Sequence, residues 1–228
     1  AMSPVAFAAL VARGVDVPDL CFIDADCDGV DGDASRAVFV SLYNGVDTNA
    51  GTAAAPVRTF EKGYQLAAAA VPRKDVYITT GVFPAIPGPH VLVEGVSVYG
   101  GYDDRTPGVW KRTDAQTVLA FASSTALTAT SLNPTTPVVL ELLDVRSADA
   151  GPYTAPSAAG DAAESSYALH LRDSDGLVLR ACTFRAGRGE TGADVTTEPA
   201  QALLGFTGLA GKPGCQNGGG TCFRCDTP

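Results

Sequence analysis

Methionine and tryptophan each occur once in this chain, and histidine only at His90 and His170. Two histidines exclude a three-histidine zinc site within one chain. No G-x-S-x-G turn is present, which removes the nucleophile elbow of serine hydrolases. No run of about 18 apolar residues exists, so nothing reads as a bilayer-spanning helix. Basic charge is also short: 16 Lys and Arg face 25 Asp and Glu, a formal net charge of -9. That balance argues against a basic face for nucleic acid or anionic lipid. The apolar stretch Pro4–Ala12 is short and has no basic region before it, so it is not an intact signal peptide. Ala1-Met2 reads as a cloning remnant, and the expectation is an exported chain, secreted or at the cell surface, whose signal peptide is missing from this sequence.

What is present favours turns. The 25 Gly and 15 Pro point to many short elements, and an apolar content of 46% is enough to bury a core in one elongated domain. Six cysteines fit an oxidising compartment and a set of disulfides whose pairing the sequence leaves open. Cys21 and Cys27 are close enough to clip a loop. Cys182 stands alone. Cys215, Cys222 and Cys225 lie in a Gly-rich context without histidine, which favours disulfides over zinc.

The acidity is concentrated. Asp19, Asp24, Asp26, Asp28, Asp31 and Asp33 follow one another without an intervening Lys or Arg. Asp24 to Gly29 reads D-x-D-x-D-G, in which alternating carboxylates around a Gly-permitted turn can converge on one hard cation. The expected ligands are Asp24, Asp26, Asp28, the Val30 carbonyl, Asp31 and Asp33, and the expected ion is a structural Ca2+. The position at which an EF-hand carries its bidentate Glu is Ser35, so this is not an EF-hand. The segment instead resembles the Asp-rich repeats of thrombospondin type 3 modules. The alternative is an acidic turn that keeps a linker solvated.

Ala37–Leu42 is rich in Val and Phe, as a strand should be. Phe60, Tyr64, Leu66, Ala67 and Ala70 then recur at helical spacing over 59–71, with Thr59 placed to cap and Pro72 just beyond. A helix there would cover the open end of a stack of strands. Further strands are expected at Val76–Thr79, Val96–Tyr99, Val118–Phe121 and Val138–Leu142. They begin about 20 residues apart, a spacing suited to the coils of a parallel β-helix. Shorter strands are expected at Val91–Val93 and Leu127–Thr130. The Ala/Gly/Pro/Ser-rich segment Ala148–Ser165 reads as an insertion. Tyr167–Gly187 alternates again around an Asp173-Ser174-Asp175-Gly176 turn. The predicted organisation is therefore an Asp-rich segment over 1–36, an all-β right-handed parallel β-helix with a capping helix over 37–187, and a Gly-rich, Cys-containing tail over 188–228.

Val38-Phe39-Val40, Gly45 to Thr52, Pro56 to Phe60 and the helix after them resemble the entry signature of pectate-lyase-like right-handed parallel β-helix proteins. The likeness is to a bacterial family of unknown function, including secreted or surface proteins of myxobacteria. Val76 to Gly81 and Gly95 to Asp103 continue it. The resemblance implies the fold but not one activity, because its members include lyases, hydrolases and proteins with no known reaction.

Two functional readings follow. One is a non-catalytic exported protein that binds a glycan or a protein partner. Tyr99, Tyr102, Trp110 and Arg112 are its expected ligand-binding residues, with aromatic faces for sugar rings; Trp110 as a local hydrophobic anchor is the competing explanation. The other is a polysaccharide lyase or glycoside hydrolase acting on an acidic polysaccharide, with Asp173, Asp175 and Arg180 as catalytic candidates.

Overall fold

The computed structural model describes residues 16–106, 109–151 and 164–190. The apolar stretch Pro4–Ala12, most of the 148–165 insertion, and the tail with Cys215, Cys222 and Cys225 lie outside them.

The chain forms a parallel β-solenoid of about four turns. Strand β1 (Ala37–Val40) precedes helix α1 (Phe60–Ala69). The next coil comprises β2 (Asp75–Thr79), β3 (Gly81–Ile86) and β4 (His90–Val91). The coil after it contains β5 (Val98–Asp103), a short return strand β6 (Lys111–Arg112), β7 (Thr117–Phe121) and β8 (Thr125–Thr130). A third is made by β9 (Val138–Glu141), β10 (Leu143–Arg146) and β11 (Tyr167–Arg172). β12 (Leu177–Arg180) and β13 (Thr183–Arg185) follow. Three sheets result, in the orders β1-β2-β5-β9-β12, β3-β7-β10-β13 and β4-β8-β11. Every pairing along them is parallel; β6 alone pairs antiparallel, against β5.

Alternation along the strands decides which side chains enter the interior. Val38, Val76, Val98 and Leu140 pair in register and point inward, where they meet Leu119, Leu143 and Val145 of the second sheet and Leu127 of the third. Phe60, Gly63, Tyr64 and Ala67 are the buried stripe of α1, and this stripe closes the core beside β1. The Thr59 hydroxyl caps the helix by accepting from Lys62 N at 3.3 Å. Asp47 accepts from the Thr59 amide and hydroxyl, fixing the entry to the helix.

The corners use left-handed backbone. Leu142 (φ 55) and Ala181 (φ 48) turn the chain from the first sheet to the second, and Ser131 (φ 57) and Asp173 (φ 49) follow the third-sheet strands. Such residues cost roughly 1 kcal/mol or more each, so the stacked coils must hold them in place. The chain stacks them directly: Leu142 N donates to Arg180 O, and Ser131 N to Arg172 O.

Two expectations change here. The regular spacing mixed two sheets, since Val118–Phe121 lies in the second sheet and not in register with Val96 and Val138. Along the first sheet Val76 pairs with Val98 and Val98 with Leu140, a second step nearly twice the first, and the 103–112 excursion supplies part of the extra length. The expected Cys21–Cys27 clip is also absent: Cys21, Cys27 and Cys182 form no disulfide among the described residues. The Asp24 carboxylate closes that turn instead, accepting from Asp28 N and Gly29 N.

Candidate functional site

Residues 16–36 lie over the outer face of the first sheet. There Phe39, Tyr77, Tyr99, Tyr102 and Trp110 form a second apolar cluster with Val30 and Val139. The ladder Phe39, Tyr77 and Tyr99 runs in register across β1, β2 and β5, then continues through Glu141 to Arg180. The Tyr77 and Tyr102 rings stack at 5.0 Å, and Trp110 meets Phe39 edge-on at 4.6 Å while its Nε1 donates to Ala53 O.

Tyr99, Tyr102, Trp110 and Arg112 are therefore all buried, at 4%, 0%, 2% and 3% exposure. Their faces are spent on one another and on the N-terminal segment, and no sugar ring can stack on them as they stand. The sequence reading offered these residues, in and around the loop before Arg112, as free to meet a ligand. The β5–β6 return instead folds this loop back onto the sheet, where Val30 forms a bridge with Trp110.

Arg112 is the hub. Its Nη1 donates to Asp31 Oδ2 and Asp19 O, both at 2.9 Å, its Nη2 to Glu141 Oε1, and its Nε to Gly100 O. Arg180 Nη1 reaches the other Glu141 oxygen at 3.1 Å. The Tyr102 ring lies 5.3 Å from the guanidinium carbon, and its hydroxyl donates to Asp31 O. Burial works against the Arg112 charge, but Tyr102, Glu141 and Asp31 outweigh it and raise its pKa. Burial also pushes the Asp31 carboxyl up to about 6, against the pull of Arg112, so it is ionised at neutral pH. This network joins the Asp-rich segment to four strands of the solenoid, β5, β6, β9 and β12.

The acidic loop divides its carboxylates among different tasks. Asp28 accepts from Val30 N and Ala34 N, Asp33 caps the 3-10 turn Ala34–Arg36, and Asp31 is held by Arg112. Val30 is buried against the aromatic cluster. Asp24 and Asp26 come together with Asp16, with one oxygen of each lying within 4.8 Å of the others. Three carboxylates at that separation suit a hard cation such as calcium. Asp16 was not among the sequence candidates. It stands apart from the D-x-D-x-D run, and only the backbone amides of Ala25 and Gly32, which both donate to its Oδ2, draw it in.

Asp173 and Asp175 are exposed in the turn between β11 and β12, and Asp173 lies 3.8 Å from Arg172 in a solvated pair. Arg180 points away onto Glu141. No hydrogen bond or ion pair among the described residues joins the three. A groove of about 480 Å³ opens elsewhere, between the start of α1 and β3, lined by Leu42, Arg58, Phe60, Val82, Pro84 and Pro87. No family model, curated protein or solved structure matches this chain.

Proposed function

We propose that this chain is a non-catalytic, exported β-helix protein of the cell surface or extracellular matrix, a relative of the pectate-lyase-like group. In this reading calcium braces its N-terminal segment and an exposed face binds a glycan or protein partner. The supporting observation is the Arg112 network, in which Asp31, Glu141 and Arg180 are saturated by one another. The strongest polar constellation is thereby committed to holding the Asp-rich segment on the sheet. Asp16, Asp24 and Asp26 are the ligands the loop offers to calcium, and the groove beside α1 is the surface open to a partner.

Calcium at a hundred times its dissociation constant would add about 2.7 kcal/mol of stability. A chelator should therefore lower the melting temperature of the native chain and leave an Asp24→Asn, Asp26→Asn double variant unmoved. An unchanged melting temperature in the native chain counts against the ion. The enzymatic alternative is tested by incubation with acidic polysaccharides, reading unsaturated uronides and reducing ends. Turnover abolished by Asp175→Ala or Arg180→Ala would replace the non-catalytic reading.

A further inference from the structure

The second sheet ends early. In the first sheet β1 pairs with β2, but after β1 the chain passes through 41–58 to α1 without entering the second sheet, so among the described residues β3 has β7 on one side and no strand on the other. The register shows which backbone groups this leaves open. Thr117 N donates to Leu142 O, so the amides and carbonyls of Thr117 and Leu119 face β10 and those of Val118 and Ala120 face β3. In β3 the groups of Gly81 and Phe83 then meet β7, and the Val82 N–H and C=O point to the open side, with no hydrogen-bond partner among the described residues. Pro84 falls at the next position of the same parity, where an edge strand needs no N–H. It and the left-handed Ala85 (φ 56) close the second half of the edge to pairing and leave residues 81–83 available.

The groove of about 480 Å³ runs along this edge, between β3 and the start of α1. Leu42, Phe60, Phe83 and Ile86 give it an apolar floor, and Val82, 50% exposed, stands beside them. The chemistry of the walls decides between occupants. Phe60 is 1% exposed and offers no face on which a sugar ring could stack. Arg58 and Glu61 put one charge of each sign on the lining, neither with an ion-pair partner within 4.0 Å among the described residues, so a polyanion gains no net attraction there. An extended polypeptide meets all of these demands. It brings a main-chain donor and acceptor to Val82, an apolar side chain to the floor, and side chains of either charge to Arg58 and Glu61.

We propose that the edge of β3 is a strand-addition site for an extended peptide of a partner protein, which lies in the groove beside α1, exchanges main-chain hydrogen bonds with Val82 and sets an aliphatic side chain against Leu42 and Phe60. The site rests on the reading of this groove as the partner surface, and it names the occupant as polypeptide rather than glycan. Bound there, the peptide gives the second sheet the row that β1 gives the first.

The test uses the native full chain and a soluble synthetic peptide carrying the β7 sequence Thr117–Phe121, which already pairs with the other edge of β3, with amide exchange and NMR shifts read residue by residue. At saturation the Val82 amide should slow about tenfold or more, the worth of one main-chain hydrogen bond, while the Phe83 amide, already bonded to β7, changes little. Two versions of the peptide, N-methylated at alternate residues, should separate: the one whose blocked amides face β3 loses binding and the other keeps it. Equal binding of both, or peptide-induced shifts at Leu42 and Phe60 without protection of Val82, overturns strand addition and leaves the groove a partner surface. If a neutral or uronate oligosaccharide shifts the groove and the peptide does not, the occupant is a glycan and the polypeptide assignment falls alone. No response in the groove to either probe would sink both this site and the reading it rests on.

Discussion

Inside the coils, Val38, Val76, Val98 and Leu140 stack as an aliphatic ladder, while one residue along the same strands Phe39, Tyr77, Tyr99, Glu141 and Arg180 stack on the outer face. Both ladders are buried along most of their length, but they hold different things together. The inner one needs only apolar volume, and each coil repeats it. The outer one begins in aromatic rings and ends in charges, and it makes contacts that only one particular segment can satisfy. Its Arg112 meets Asp31 across 81 residues of sequence and Glu141 across 29. Hydrophobic stacking makes the solenoid; the charged end of the outer ladder selects what covers it.

If the outer ladder is as firmly committed as this implies, Arg112→Ala should give the largest loss. It would leave Asp31 and Glu141 buried without their shared partner, a cost of about 3–5 kcal/mol in denaturant unfolding. A loss below that of an exposed substitution would mean that the N-terminal segment detaches freely. Leu140→Ala tests the inner ladder and should cost about 2–5 kcal/mol by emptying a fully buried site. The two losses should add if the ladders are independent, and a double mutant reads this directly.

The interior also carries a titrating group. His90 is packed 4.3 Å from Tyr64 and 4.9 Å from Phe60, its Nε2 is buried without a partner, and burial pushes its pKa down to about 4. The neutral form is thus favoured in the folded chain. Its contribution is intact above an unfolded pKa near 6.5 and is lost as pH falls from there towards 4, by up to about 3 kcal/mol. Asp31 works in the opposite sense: its raised pKa means that acidification from about 6 relieves a buried charge. The His90 effect should therefore be read as the difference between the native chain and His90→Phe across this pH range. Equal slopes in the two proteins would refute it. At the small end, Asp175→Ala, exposed and unpaired among the described residues, should change stability by no more than about 0.5 kcal/mol.

The strands of the inner ladder were legible because Val-rich runs such as Val76–Ile78 and Val138–Leu140 advertise themselves, and so was α1, whose buried positions follow a helical step. β3 was not. It contains Pro84, which ordinarily argues against a strand, and Ala85 is left-handed. The structure accepts both because β3 is the last strand of its sheet and its register shifts between Phe83 and Ile86. The ion network was illegible as a pairing, since no local pattern links Asp31 to Arg112. A partial signal was available in Glu141, a lone acid within the apolar run Val138–Leu143. An unshielded carboxylate there would be costly, so a buried cationic partner is the natural expectation. The aromatic loop was misplaced because clustered Tyr and Trp residues look alike whether they face solvent or a covering segment.

The columns of left-handed corners have a consequence for how such a chain can vary. Because Leu142 hydrogen-bonds to Arg180 and Ser131 to Arg172, each coil is indexed to its neighbour at the corners, and the length of chain between corners is free to differ. The 103–112 excursion and the 148–165 insertion both use this freedom, and widening a closed loop carries an entropic penalty that grows only logarithmically. Segments can be spliced in or removed at these points while the ladders on either side keep their alignment. The solenoid thus behaves as a ruled frame on which new surface can be grafted coil by coil.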